Sequence, residues 1–248
     1  MLSLKRILNF YIQSSLHVGI AVFCLVQLSV SQWSSYSFLV FFGTIVGYNF
    51  LKYSEWFLSS KRLRNNIIEI LSVTLIAAVG FLFFFLKQNP TVQLDLIMAL
   101  GLVVLYPFIR KLGWLKPFFV SCVVSYITVV IPLKGTEAVA LIFMQRFLLL
   151  SSVMIPFEIL DSTTDSVAMK TLPHLFGIAR TKQIGYVLVG LYCIVSFHAL
   201  SIHYPCFIYA LSSVVAIYFS SEKRSWYYTS FWVESLPILW WLVLIVFQ

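Results

Sequence analysis

The amino-acid sequence predicts an all-α, polytopic membrane protein, and three observations support this fold class. Hydrophobic residues make up 60% of the 248 residues and charged residues only 10%, whereas soluble domains carry about 25% charged residues. The mean hydropathy is +0.94. Apolar runs of about 20 residues, the length of a membrane-spanning helix, recur along the chain. These features exclude a soluble enzyme, a disordered chain and a disulfide-rich secreted domain, and such long runs are not typical of a transmembrane β-barrel.

Nine apolar segments are predicted to be transmembrane helices, because about 20 helical residues cross the roughly 30 Å hydrocarbon core. Their approximate bounds are Phe10–Val30, Tyr36–Trp56, Ile67–Leu86, Val92–Ile109, Phe118–Leu133, Ala138–Leu160, Ile184–Leu200, Tyr204–Phe219 and Thr229–Phe247. The first segment is interpreted as a retained span, since no small-residue cleavage site follows it. The connections are short, so residues 1–248 are expected to form a single integral-membrane domain.

The basic residues predict the orientation of these helices. Fourteen of the 17 Lys and Arg residues flank one set of predicted helix ends, whereas only Lys87 and Lys134 flank the other set. Because basic loops remain in the cytoplasm, we expect a cytoplasmic N-terminus and an external C-terminus. The net charge of +8 is spread thinly, so no nucleic-acid partner is expected. Arg146 lies inside a span, where we expect it either to pair with a polar group of a neighbouring helix or to reach a wet cavity.

Three acidic residues lie close together near the end of the sixth segment. Glu158, Asp161 and Asp165 fall within about 60° of one another on a helical wheel. Three carboxylates on one face repel each other, so either divalent ions or basic side chains are needed to neutralise them. Oxygen ligands at this spacing suit Mg²⁺ that bridges to a substrate phosphate, while ordinary acids at a solvated helix end are the simpler alternative.

A second polar group ends the second segment, where Asn49 and Lys52 precede Tyr53 and Glu55. Four crossings separate the second and sixth segments, so both polar groups are expected on the same membrane face.

Basic residues are expected on this face as well. Arg110, Lys111 and Lys116 follow the fourth segment, and Lys170 follows the acids. Carboxylates that hold metal ions, beside cations that meet the remaining phosphate charge, are what a metal-bound diphosphate requires. Alternatively, these basic residues only enforce topology and bind anionic lipid.

The stretch from Glu158 to Gly177 resembles the second aspartate motif of the UbiA superfamily of intramembrane prenyltransferases. It contains Asp-x-x-x-Asp at Asp161 and Asp165, followed by Lys-Thr-Leu-Pro from Lys170. The segment from Leu105 to Pro117 is similar to the basic segment after the family's fourth helix. Asn49 aligns with the Asn of the first motif, but Phe50, Tyr53 and Phe57 then stand where that family has aspartates.

The resemblance implies nine helices around a central cavity and transfer of an isoprenyl group from a prenyl diphosphate to a hydrophobic, aromatic acceptor. It implies Mg²⁺ bound by Asp161 and Asp165, with Glu158 and Asn49 assisting. It also implies diphosphate contacts from the basic residues and Asn49 around the site. These contacts are Asn49, Lys52, Arg110, Lys116 and Lys170.

Two other functions remain open. One is a catalytically degenerate relative that binds an isoprenoid, a lipid or a partner without turnover, which the eroded first motif favours. The other is a small transporter, although transporter helices are usually broken near the membrane midplane around the substrate. A bacterial inner membrane is the expected location.

Overall fold

The computed structural model describes residues 2–30, 32–58, 67–165, 169–199 and 204–247, which form helices and turns but no strand. The α-helices are α1 (Leu2–Gln13), α2 (Leu16–Gln27), α3 (Ser35–Leu58), α4 (Ile67–Leu86), α5 (Pro90–Ile109), α6 (Lys116–Ser125), α7 (Val139–Asp161), α8 (Leu172–Ala199), α9 (Tyr204–Phe219) and α10 (Leu236–Phe247). A 3-10 segment, Arg110–Leu115, joins α5 to α6. Short π-helical segments follow α6 (Tyr126–Val130) and precede α10 (Tyr228–Val233). The all-helical fold class is confirmed.

Several helices are long and apolar enough to cross a membrane. Among the described residues there are five such stretches, and the bent pair α1–α2 would make a sixth. The five are Ile67–Leu86, Pro90–Val130, Val139–Asp161, Leu172–Phe197 and Tyr228–Val246. The chain is therefore a multi-pass helical membrane protein, while the count of nine spans stays a prediction.

Two of the predicted spans lie in one helical run. Pro90–Val130 contains 41 residues, which as a straight helix would measure about 60 Å, twice the thickness of the hydrocarbon core. The run is interrupted at Gly113, whose φ of 43° and ψ of −78° are not helical. The fourth and fifth predicted segments lie on either side of this interruption.

Two predicted segments differ from the helices of the structure, one in where it begins and one in its continuity. Helix α8 begins at Leu172 rather than at Ile184, with a break at Gly177 (φ 78°, ψ 162°), because polar residues continue the helix beyond the apolar stretch. The first predicted segment is divided at Ser14 and Ser15, where α1 and α2 meet at 57°. Hydropathy locates apolar stretches and does not detect such breaks.

Side-chain contacts sort the helix ends into two groups. At one end, Gln27 donates a hydrogen bond to Ser37, Gln88 donates one to Ser35, and Lys134 donates one to Asp95. We call this the distal end. At the other end Arg6 pairs with Glu69, Arg110 pairs with Asp165, and Ser162 bonds Glu222. We call this the cluster end. Predicted cytoplasmic residues fall at the cluster end, although Lys61, Arg62 and Arg64, which contribute to that prediction, lie outside the described residues.

The apolar core is built mainly by α7 and its neighbours. Ile155 and Ile159 of α7, Ile217 of α9 and Trp240 of α10 are fully buried in one hydrophobic cluster. By contrast, α4 turns apolar side chains outward, and Leu75 there is 68% exposed. Apolar surface of this extent is typical of a helix that faces lipid.

Candidate functional site

The three predicted carboxylates converge on one ammonium group. Lys116 Nζ lies 3.2 Å from Glu158 Oε1, 3.1 Å from Asp161 Oδ2 and 3.3 Å from Asp165 Oδ2. Glu158, Asp161 and Asp165 are hereafter the acidic cluster. Basic side chains therefore supply the neutralisation that three acids on one helical face require.

A second cation lies at the edge of the acidic cluster. Arg110 Nη2 is 3.5 Å from Asp165 Oδ1. Three carboxylates and two cations leave a formal charge of −1. Glu158 is 2% exposed, and its buried Oε2 atom has no hydrogen-bond partner in the part of the chain that the structure describes. The Asp161 side chain, in contrast, is 43% exposed. The cluster thus combines a deeply buried oxygen with one carboxylate that is accessible to a ligand.

Local backbone structure positions these groups. The last turns of α7 carry Glu158 and Asp161, and the Asp165 amide donates to the Asp161 carbonyl (2.8 Å), so that the turn continues in helical register. Lys116 is the first residue of α6, directly after the 3-10 segment. Proline at the second position of α6, Pro117, suits a helix start because its missing N–H has no intrahelical partner there.

A close backbone contact fixes that 3-10 segment. A Cβ atom placed on Gly113 would lie 1.7 Å from the Met169 carbonyl oxygen. Only glycine therefore permits the approach. The neighbouring Lys170 itself has a positive φ of 51°, so unusual backbone conformations occur on both sides of the contact.

Four polar residues to which the sequence assigned no role support the segment after α7. His174 Nε2 lies 3.0 Å from the Ser162 carbonyl oxygen, and its Nδ1 lies 3.0 Å from Thr171 Oγ1. Ser162 Oγ also donates to Glu222 Oε1 at 3.0 Å. In the sequence these residues resemble ordinary turn residues. The histidine of the Pro-His-Leu-Phe-Gly stretch, His174, is the one sequence feature that could have indicated a role for this segment.

The second polar group has a different role in the structure. Asn49 is 3% exposed, and its amide donates to the Ser14 carbonyl (3.0 Å) and Thr74 Oγ1 (2.8 Å) and accepts from Ser15 Oγ (2.7 Å). Lys52 Nζ donates to the Ile12 carbonyl (3.4 Å) and to Ser15 Oγ (3.3 Å). Both side chains thus hold the break between α1 and α2.

Two other residues of the predicted polar groups, Tyr53 and Lys170, lie among the residues that the structure describes. Tyr53, which the resemblance aligns with an aspartate of the first motif, donates to the Gln13 carbonyl at 2.9 Å and so joins Asn49 and Lys52 at the break. The side chains of Glu55 and Phe57 lie outside the described residues. Lys170 is exposed and makes no polar side-chain contact within the described part of the chain.

The donors of the acidic cluster suit Mg²⁺, which prefers carboxylate oxygens. Their convergence on an ammonium and the unpartnered Glu158 Oε2 both indicate a position for positive charge. The Lys116 ammonium fills that position. Among the described residues, no group of three or more His, Cys, Asp or Glu side chains is arranged to hold a metal ion in this structure. The magnesium site stays a prediction that requires Lys116 to move.

Comparisons with known proteins leave the family open. No protein-family model matches the chain, and neither curated proteins nor solved structures give a significant match.

Proposed function

We propose that this membrane protein transfers an isoprenyl group from a prenyl diphosphate to a hydrophobic, aromatic acceptor within the bilayer. The single observation that carries the proposal is the mixed cluster, in which Lys116 and Arg110 contact carboxylates at one end of the helix bundle. Five charged side chains in contact are unusual in a chain with 10% charged residues, and charges at membrane helices are usually functional.

In the proposed reaction the bond between the prenyl carbon and the diphosphate oxygen breaks, and the diphosphate leaves with the electron pair. The acceptor carbon forms the new bond and loses a proton. Arg110, whose side chain is 41% exposed, would contact the diphosphate, and Lys116 would join it after releasing the carboxylates. Lys170 would approach from the neighbouring segment, while apolar helices hold the isoprenyl chain.

If Mg²⁺ takes part, Asp161 and Asp165 would hold it, with Glu158 assisting. It would stabilise the negative charge on the departing diphosphate. Asn49 and Lys52, which the resemblance assigns to metal and diphosphate, are engaged at the helix break instead. Their role in the proposal is therefore to position α3.

A second function, binding of an isoprenoid or lipid without turnover, is favoured by one observation. The carboxylates that would hold a metal already pair with Lys116, and the amide that would assist them is committed elsewhere. A bacterial inner membrane with a cytoplasmic cluster end is the proposed location for either function.

The test measures binding and turnover separately. Calorimetric titration of a long-chain prenyl diphosphate into detergent-purified protein, with Mg²⁺ or with EDTA, is followed by an assay for diphosphate release with aromatic acceptors. We expect wild type to bind the prenyl diphosphate and to release diphosphate in the presence of Mg²⁺. The Asp161→Asn variant should lose this turnover. The matched control is Glu137→Gln, an exposed acid between α6 and α7, which should behave as wild type. Binding without turnover would favour the second function, and no binding in either buffer would refute both.

A further inference from the structure

Lys116 occupies the place where a divalent cation would meet the acidic cluster. Its ammonium is within 3.3 Å of all three carboxylates, and the residue is 9% exposed. We propose that Lys116 is a built-in counter-cation that excludes divalent metal from the acidic cluster of the free protein, and that removing its charge converts the cluster into a Mg²⁺ or Mn²⁺ site.

Charge balance supports this proposal. With Lys116 and Arg110 in place the cluster has a formal charge of −1, and a divalent ion at the same centre would stand against the ammonium at contact distance. Repulsion between like charges is strong at such distances away from bulk water. Without the Lys116 charge the formal charge is −2, which one divalent cation neutralises.

The donor geometry supports it independently. Glu158 Oε2 is buried and has no hydrogen-bond partner among the described residues, although its companion oxygen lies 3.2 Å from Lys116 Nζ. A buried, unpaired carboxylate oxygen is costly, and a hard cation accepts several such oxygens at once. An ammonium has only three N–H groups, and in this cluster each of the three carboxylates already takes one.

The experiment compares Mn²⁺ binding to full-length wild type, Lys116→Gln and Lys111→Gln in detergent, measured by the electron paramagnetic resonance signal of free Mn²⁺. Lys111 is an exposed lysine five residues away, over the Phe108 ring, and serves as the matched control. We expect Lys116→Gln to bind one Mn²⁺ per chain at least about tenfold more tightly than wild type, in competition with Mg²⁺. Wild type and Lys111→Gln should bind equally weakly.

Two further variants complete the test. Adding Asp161→Asn to Lys116→Gln should abolish the new site. If Lys116→Gln cannot be purified, Lys116→Met, which removes the charge with little change in length, replaces it. Tight Mn²⁺ binding by wild type, or no gain in either folded Lys116 variant, would overturn the proposal.

The inference concerns the site of the proposed function but does not depend on the ligand. Adding prenyl diphosphate to wild type with Mn²⁺ separates the two, once the Mn²⁺ that the diphosphate chelates in protein-free detergent is subtracted. If diphosphate draws Lys116 away, Mn²⁺ binding to wild type should tighten toward that of Lys116→Gln. A gain of Mn²⁺ binding in Lys116→Gln together with no effect of diphosphate on wild type would support the counter-cation and refute diphosphate binding at this cluster.

Discussion

At the scale of single residues, Gly113 decides where Lys116 lies. Gly113→Ala would place a methyl group 1.7 Å from the Met169 carbonyl oxygen, in a backbone conformation with φ 43° that alanine rarely adopts. Strain and overpacking together should lower the free energy of unfolding by about 3 kcal/mol. The change should appear as a lower midpoint of thermal unfolding in detergent, with weaker binding of any ligand of the cluster.

Gly101→Ala is the matched control. Gly101 is exposed on α5 and has open space where its Cβ would lie, and alanine is the better helix former. The control should therefore unfold at the wild-type temperature or above it. Equal midpoints for the two variants would show that the Gly113 contact does not constrain the protein.

The sequence predicted some residues of the site because their geometry is local. The spacing of Glu158, Asp161 and Asp165 places them on one helical face, and the structure brings them to one point. Their pairing with Lys116 was not predicted, since the lysine is 45 residues from Asp161 and no periodic pattern links residues on different helices. The sequence required a neutralising cation without deciding between a metal and a lysine.

At the scale of helices, three residues of α3 hold the break between α1 and α2. Asn49→Leu keeps the side-chain size but removes the amide N–H that the Ser14 carbonyl accepts and the oxygen to which the Ser15 hydroxyl donates, although Ser15 keeps its contact with Lys52. Leaving such groups buried and unpaired costs about 1–3 kcal/mol each, and Ser15 already has a positive φ of 62°. We expect a loss of stability of about 3 kcal/mol, measured as a lower midpoint of thermal unfolding.

Gln183→Leu provides the comparison for this helix break, because Gln183 is an exposed amide on α8. It should leave the unfolding midpoint close to that of wild type. If Asn49→Leu were as stable as wild type but lost Mg²⁺-dependent binding, Asn49 would belong to the ligand site and its structural role would be refuted.

The sequence could not predict this role for Asn49. Hydropathy predicts one continuous first segment, since apolar stretches lie on both sides of the short polar stretch that contains Ser14 and Ser15. The break depends on partners from α3, namely Asn49 and Lys52, which are more than 30 residues away. Helix existence was predictable from local composition, whereas the breaks at Ser15, Gly113 and Gly177 depend on tertiary contacts or positive φ angles.

At the scale of the whole molecule, orientation depends on the unequal basic charge of the two ends. At the distal end Lys134 is paired with Asp95 at 2.7 Å, and this hydrogen bond raises the pKa of the lysine, so it stays charged. Most other basic residues are at or near the cluster end, where Arg110, Lys116 and Arg224 are located. Basic loops remain on the cytoplasmic side of a membrane, where the leaflet contains anionic lipid. We therefore expect the cluster end to face the cytoplasm.

Two engineered cysteines test this orientation and the alternation of the helices. Thr136 lies in the exposed turn between α6 and α7, and Ser225 lies in the exposed turn between α9 and α10. In oriented membrane vesicles, a membrane-impermeant maleimide should label Thr136→Cys from the external face only and Ser225→Cys from the cytoplasmic face only. Wild type reports the background from its own four cysteines. Labelling of both variants from one face would refute the predicted alternation, whereas the reverse pattern would keep the alternation but invert the protein and place the acidic cluster outside the cell.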